Sequence, residues 1–204
     1  MWKKERGSLS YIQKNFLKQN GEFDVVLFIP SLHHFPNCQY IIDHAKDLLT
    51  SNGLIIVNEP VVDQVTTRNA ALILLLRGIL SATNSYFQDF YLPLEQEKIK
   101  EQMKKIFSEE KYELEDGTKG QSINDNESGY DDMYPALKNS FHELEHKKDY
   151  AFFHRLIGGI LQETIEKEHK LAKFIKMMDS VLCELGALDP TNFYFAVMKK
   201  TNKA

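Results

Sequence analysis

Cysteine is nearly absent from the sequence: Cys38 and Cys183 are the only two in 204 residues, far apart and with no CxxC. That scarcity excludes a disulfide scaffold and a cysteine zinc site, and it fits a reducing, cytoplasmic setting. An excess of charge is missing too. Twenty-five basic residues face 29 acidic ones, a net charge of −4, which argues against duplex nucleic acid or an anionic membrane as the main partner. No long apolar run exists. The longest, Ala70 to Leu76, is bounded by Arg68 and Arg77 and falls far short of the ~18 residues of a membrane span. The start, Met1 to Arg6, is charged and lacks the apolar core of a signal peptide. Ten glycines include no Gly-x-Gly pair, and no internal repeat, Ser/His/Asp triad context or phosphate-cradling loop is visible. What remains is globular. With 43% hydrophobic and 26% charged residues, the chain has the composition and length of one ordinary domain with a large insertion.

The pattern along the chain alternates helix and buried strand. A first helix is predicted from about Ser8 to Gln19, capped by Ser8 or Ser10, with Ile12, Phe16 and Leu17 on one face and Asn20-Gly21 ending it. Residues 23–29, FDVVLFI, are almost continuously apolar and β-branched. Such a run reads as a strand buried on both faces, as in a parallel sheet covered by helices. Gln39 to Thr50 has helical spacing in Ile41, Ile42, Ala45, Leu48 and Leu49, and Ser51-Asn52-Gly53 closes it. A second short strand follows, from Leu54 to about Asn58. Helices are predicted at about 63–81 and 94–108, the first apolar around most of its circumference. Residues 109–132 are polar and acidic and read as a long mobile loop within an insertion spanning 82–140. From Tyr150 a helical stripe is expected through Leu161, with Gly158-Gly159 as an interruption, and again from Leu171 to Leu185. That second stripe reads as core or a dimer face. Gly186 stops it, and residues 192–199 form a closing strand.

Within residues 23–60, Asp24, Leu32-His33-His34, Leu48-Leu49, Gly53 and Glu59-Pro60 follow one another at set intervals. This segment resembles the middle of a class I S-adenosylmethionine-dependent methyltransferase, from that family's fourth strand to the end of its fifth. The closing strand, followed by Lys199-Lys200, is similar to the family's last strand. The resemblance implies an α/β fold, specifically a partial Rossmann-like methyltransferase sheet with a helical insertion. Strands are expected near 23–29, 54–58, 141–147 and 192–199, with the insertion between the second and third. It also implies that the chain corresponds to the C-terminal half of the domain. The glycine-rich turn and ribose-binding carboxylate that hold the cofactor in the family have no counterpart here, and binding of S-adenosylmethionine by this chain alone is expected to be weak.

By that resemblance Ile29, Pro30 and Ser31 pass beside the cofactor's methionine part. His34, or alternatively His33, stands between cofactor and acceptor as a general base. Either histidine can instead simply hydrogen-bond its loop. Glu59 is a substrate-side carboxylate or a turn residue before Pro60. Tyr86, Phe87, Phe90 and Tyr91 line an apolar acceptor pocket or pin the preceding helix to the sheet. The implied reaction is methyl transfer to a small-molecule or lipid-like acceptor, and the expected partner is a second copy of the chain or a complementing N-terminal half. A non-catalytic methyltransferase-like interaction module is the alternative. A third reading comes from His142-Glu143-Leu144-Glu145-His146, which matches the H-E-x-x-H of zinc metallopeptidases with Glu163 or Glu166 as third ligand. That reading needs a helix, and the same stretch also fits a strand.

Overall fold

The computed structural model describes residues 11–199 apart from 112, 115, 117 and 120–124; Ser8 and Ser10, and part of the 109–132 segment, lie outside them. The described chain is mixed α/β, with a four-stranded sheet and five helices. In chain order these are β1 (Phe23–Phe28), α1 (Cys38–Asp47), β2 (Leu49–Pro60), α2 (Thr67–Ala82), α3 (Gln96–Glu110), α4 (Tyr130–Ser140), β3 (Phe141–Asp149), α5 (Ile165–Glu184) and β4 (Asn192–Lys199). The sheet order is β1-β2-β4-β3. β1 and β2 run parallel, and β4 lies antiparallel to both of its neighbours.

The β-branched run of β1 meets β2 in the register Val26↔Ile55 and Phe28↔Val57. Three of the four predicted strands keep their place, while β2 begins earlier than its apolar run. The segment from Leu49 to Gly53, expected to end a helix and turn, is drawn into the sheet instead. Phe23 pairs with Leu49, its N–H donating to the Leu48 carbonyl at 2.8 Å, and the register slips between Phe23 and Val25. Glycine is required at 53 because a Cβ there would lie 2.8 Å from the Leu49 side chain. Helix α1 is therefore shorter than its spacing suggested, starting under the Asn37 side chain, which accepts from the Tyr40 N–H, and stopping at Asp47.

One face of the sheet is packed. Val26, Phe28, Ile55, Val57, Phe193, Phe195 and Val197 meet Ile41, Ile42 and Ala45 of α1 and Met133 and Leu137 of α4. The other face of β1 is bare: Val25 and Leu27, with Ile29 just past the strand, are 44%, 57% and 55% exposed. The expectation of a strand buried on both faces is thus corrected to burial on one, because no described helix covers the side of β1 opposite α1. Leu27→Lys should accordingly change the free energy of unfolding by no more than about 0.5 kcal/mol. Ile55→Ala, at a wholly buried position on the packed face, should cost about 2–5 kcal/mol. Urea midpoints at constant slope compare the two directly, and equal losses would contradict this assignment of faces.

The N-terminal helix is also corrected. Between residues 11 and 22 the chain forms one 3-10 turn, Phe16–Lys18, capped by the Asn15 side chain. Phe16 packs edge-on against Phe28 and His44, while Ile12 and Leu17 stay exposed. With one anchored side chain there is no face to bury, and a short isolated helix is marginal in water.

A second core joins α2, α3, residues 151–160 and α5 through Ala70, Ile73, Leu80, Ile106, Phe152, Leu156 and Ile175. Residues 150–161, predicted helical, form a single 3-10 turn at Phe153–Arg155 followed by Gly158 at φ +86°. Asp179 of α5 takes the backbone N–H groups of Ala151, Phe152 and Phe153 at 2.7, 3.0 and 2.6 Å, and the left-handed Gly158 stops the turn that they open before a helix can extend. Gly159 lies under the Tyr86 ring, where a Cβ would come within 2.3 Å. The stripe on α5 divides. Ile175 is buried, Leu171 and Leu182 pack against the second core, and Phe174, Met178, Val181 and Leu185 face outward. Gly186 ends α5 at φ +67°, the left-handed cap that its position predicts.

Candidate functional site

The C-terminal ends of parallel strands in an open α/β sheet are where ligands bind, since the chain diverges there into loops. At the end of β1, Ile29 and Pro30 are exposed and Ser31 is half-buried, and Leu32–His34 form a 3-10 turn. At the end of β2, the alternation that buries Ile55 and Val57 carries Glu59 to the same inner face, where it is wholly buried. One Glu59 oxygen accepts from the backbone N–H groups of Ser31 and Leu32, both at 2.7 Å. The other lies 2.6 Å from His33 Nδ1. A carboxylate only accepts, so His33 carries a proton on Nδ1 and directs Nε2 away from Glu59.

A third segment closes over the turn. The N–H groups of Glu127 and Ser128 donate to the His33 carbonyl at 2.8 and 3.2 Å, and Ser128 Oγ donates to the Phe35 carbonyl at 2.6 Å. Asp63 accepts from the Tyr130 N–H and fixes the start of α4. This clamp brings Asp125 Oδ1 to 3.4 Å from His33 Nε2 and 3.6 Å from His34 Nδ1. Part of the segment expected to be a loop is therefore docked at the strand ends. His33 and Asp125 are buried, and His34 is partly open to solvent.

The sequence points to His33, His34 and Glu59 but not to Asp125, which falls in the segment that reads as a long mobile loop. Asp125-Asn126 with Ser128-Gly129 close behind is the composition of a tight turn, and Asn126 takes a left-handed φ of +52° there. Tyr86 is placed over Gly159, its hydroxyl donating to the Arg155 carbonyl at 3.4 Å, so it pins the chain after β3. Phe90 lines a different feature, an apolar cavity of about 380 Å³ between α2 and α3, together with Leu74, Leu92 and Met103. Gly78 on α2 leaves room for Leu92 there.

The H-E-x-x-H segment is corrected. His142 to His146 lie on β3, paired with Met198 to Phe195 of β4. A strand separates residues four apart by roughly 13 Å, so the two imidazoles cannot share one zinc ion, and Glu163 and Glu166 are exposed elsewhere. His146 instead meets Tyr130 Oη at 3.1 Å and stacks on Tyr134. Burial pushes its pKa below the usual imidazole value. The unfolded chain then binds a proton more readily than the folded one, so this stability is full above about pH 6.5 and is lost as pH falls toward the folded pKa. His146→Phe should flatten the acid limb of the stability profile between pH 7 and pH 5, read from urea midpoints; an unchanged limb would assign the titration elsewhere.

Neither cysteine is activated. Burial raises the Cys38 thiol, and burial with the neighbouring Asp179 carboxylate pushes Cys183 up to about 12. No helix among the described residues is long and apolar enough to cross a membrane. No protein-family model matches the chain, and no curated protein sequence matches it either.

Proposed function

We propose that the chain contributes the acceptor side of an S-adenosylmethionine-dependent methyl-transfer site, with a segment outside this sequence supplying the glycine turn and ribose carboxylate. The observation that carries this reading is the Glu59–His33 pair at the ends of the parallel strands β1 and β2. Glu59 fixes the imidazole so that Nε2 is its proton-accepting nitrogen, and its charge stabilises the imidazolium that forms. His33, rather than His34, is then the base. The acceptor heteroatom attacks the methyl carbon as the sulfonium carbon–sulfur bond breaks, its proton passes to His33 Nε2, and S-adenosylhomocysteine leaves. Ile29, Pro30 and Ser31 flank the cofactor's methionine part. The acceptor is a small or lipid-like molecule, and its alignment with exclusion of water supplies much of the rate.

The sheet supports the same reading. In a doubly wound sheet the fourth strand lies between the first and the fifth, and among the described residues β1 has a strand on one side only. The bare row Val25, Leu27 and Ile29 beside that edge also favours a second reading, a non-catalytic interaction module. Calorimetry with S-adenosylmethionine and S-adenosylhomocysteine separates them, on the chain alone and with a complementing N-terminal half. Heat that appears only with the complement supports methyl transfer, and His33→Gln should then slow transfer by about 10²–10⁴-fold. No heat in either format favours the interaction module.

A further inference from the structure

We infer that His33, His34 and Asp125 form a binding site for one divalent transition-metal ion of the zinc type. His33 spends its Nδ1 proton on Glu59, so a neutral ring directs an unprotonated Nε2 toward Asp125 Oδ1 at 3.4 Å. Two acceptors at that distance repel unless a proton or a metal cation lies between them. His34 Nδ1 approaches the same oxygen at 3.6 Å, and the three donor atoms all lie within 4.8 Å of one another. A single proton on one ring satisfies one such contact and not three convergent donors.

Geometry and charge both fit a metal. Metal–nitrogen and metal–oxygen bonds of about 2.0–2.1 Å in a tetrahedral site put donor atoms about 3.3 Å apart, close to the two separations found. The second carboxylate oxygen of Asp125 is buried and makes no hydrogen bond to any described residue, and the whole side chain is 2% exposed. It is free to complete the coordination. Two neutral imidazoles, the Asp125 carboxylate and the Glu59 carboxylate behind His33 together balance a 2+ ion. The Glu59–His33 contact is the carboxylate–histidine arrangement that orients metal-bound imidazoles and raises their basicity. Two nitrogen donors favour zinc, cobalt or nickel over magnesium and calcium, which take oxygen. The hydrogen bonds from residues 127 and 128 to the His33 carbonyl hold the donors together in advance.

This inference does not depend on methyl transfer, but it bears on it: a metal and a proton compete for the same His33 lone pair, so a loaded site silences that base. The test is titration of the full chain with Zn²⁺ by calorimetry and with Co²⁺ by its visible ligand-field bands, neither of which reads methyl transfer. One equivalent should bind. His34→Gln, at a partly exposed position, and Asp125→Asn, which keeps the side chain's shape, should each weaken binding by at least the roughly 10–100-fold seen for lost outer-shell partners. Circular dichroism should stay unchanged in both, and the double variant His142→Ala/His146→Ala should bind as the parent does. Absence of binding overturns the site. So does binding that survives both His34→Gln and Asp125→Asn, or that is lost with His142 and His146.

Discussion

Glu59→Ala should destabilise the chain by about 3–5 kcal/mol, the range for removing one partner of a buried, hydrogen-bonded charge. Two backbone N–H groups at 2.7 Å and an imidazole nitrogen at 2.6 Å lose their acceptor together, in a place that water does not reach. Each such group left unsatisfied costs about 1–3 kcal/mol. Glu59→Gln divides the two roles of the residue. Its carbonyl oxygen can still take the Ser31 and Leu32 N–H groups, so the loss should fall to about 1–2 kcal/mol. Its amide hydrogens, however, face His33 Nδ1 and force the ring proton onto Nε2. Nitrogen-15 shifts of the imidazole report that tautomer, and urea unfolding reports the stability. A loss below about 1 kcal/mol in the alanine variant would mean that the turn after β1 holds itself without this carboxylate.

Asp179→Ala should be as damaging, at about 3–5 kcal/mol, although it lies on the helix α5 and outside the strand-end site. Its wholly buried carboxylate is the acceptor for three consecutive N–H groups and also takes a contact from Cys183 Sγ at 3.4 Å. Against a typical total of about 5–15 kcal/mol, either loss is a large share of the stability. Asp179→Asn keeps an oxygen acceptor and the side chain's shape, and should cost about 2 kcal/mol. It also removes the charge that helps raise Cys183, so alkylation of that thiol at pH 8 should quicken. A destabilised variant with unaltered thiol reactivity would separate the packing role of Asp179 from its electrostatic one.

How far the sequence could be read depended on whether a signal was local. The β-branched run of β1 and the alternation of β4 specify strands by themselves, and both lie where expected. The face that each strand buries depends on neighbours, which is why Val25 and Leu27 read as core and stand exposed. His142 to His146 fit two periods at once, and the pairing with β4 settled them as strand. Glu59 and His33 each stand out in the sequence, but nothing across their separation of 26 positions links a carboxylate to one of two adjacent histidines. Asp179 left a sign that went unread: it follows Ile175 by one helical turn, so an acid stands on the buried face. Asn69 is similar, a wholly buried amide that caps α2 and donates to the carbonyls of Ala151 and Asp189 across the second core.

The placement of β4 has a consequence for how the chain is made. Synthesis proceeds from the N-terminus, and β4 leaves the ribosome after every other described strand, yet it belongs between β2 and β3. Until residues 192–199 emerge, β2 has no neighbour on that side and β3 has none among the described strands. The pairings that then form join residues as distant as Leu54 and Met198. Such long closures are slow to find, and open strand edges pair readily with other chains in the meantime. A nascent chain halted before Asn192 should therefore hold its α1 region against β1 and β2 while its half-built sheet remains a client for holding chaperones, and release should follow the arrival of β4.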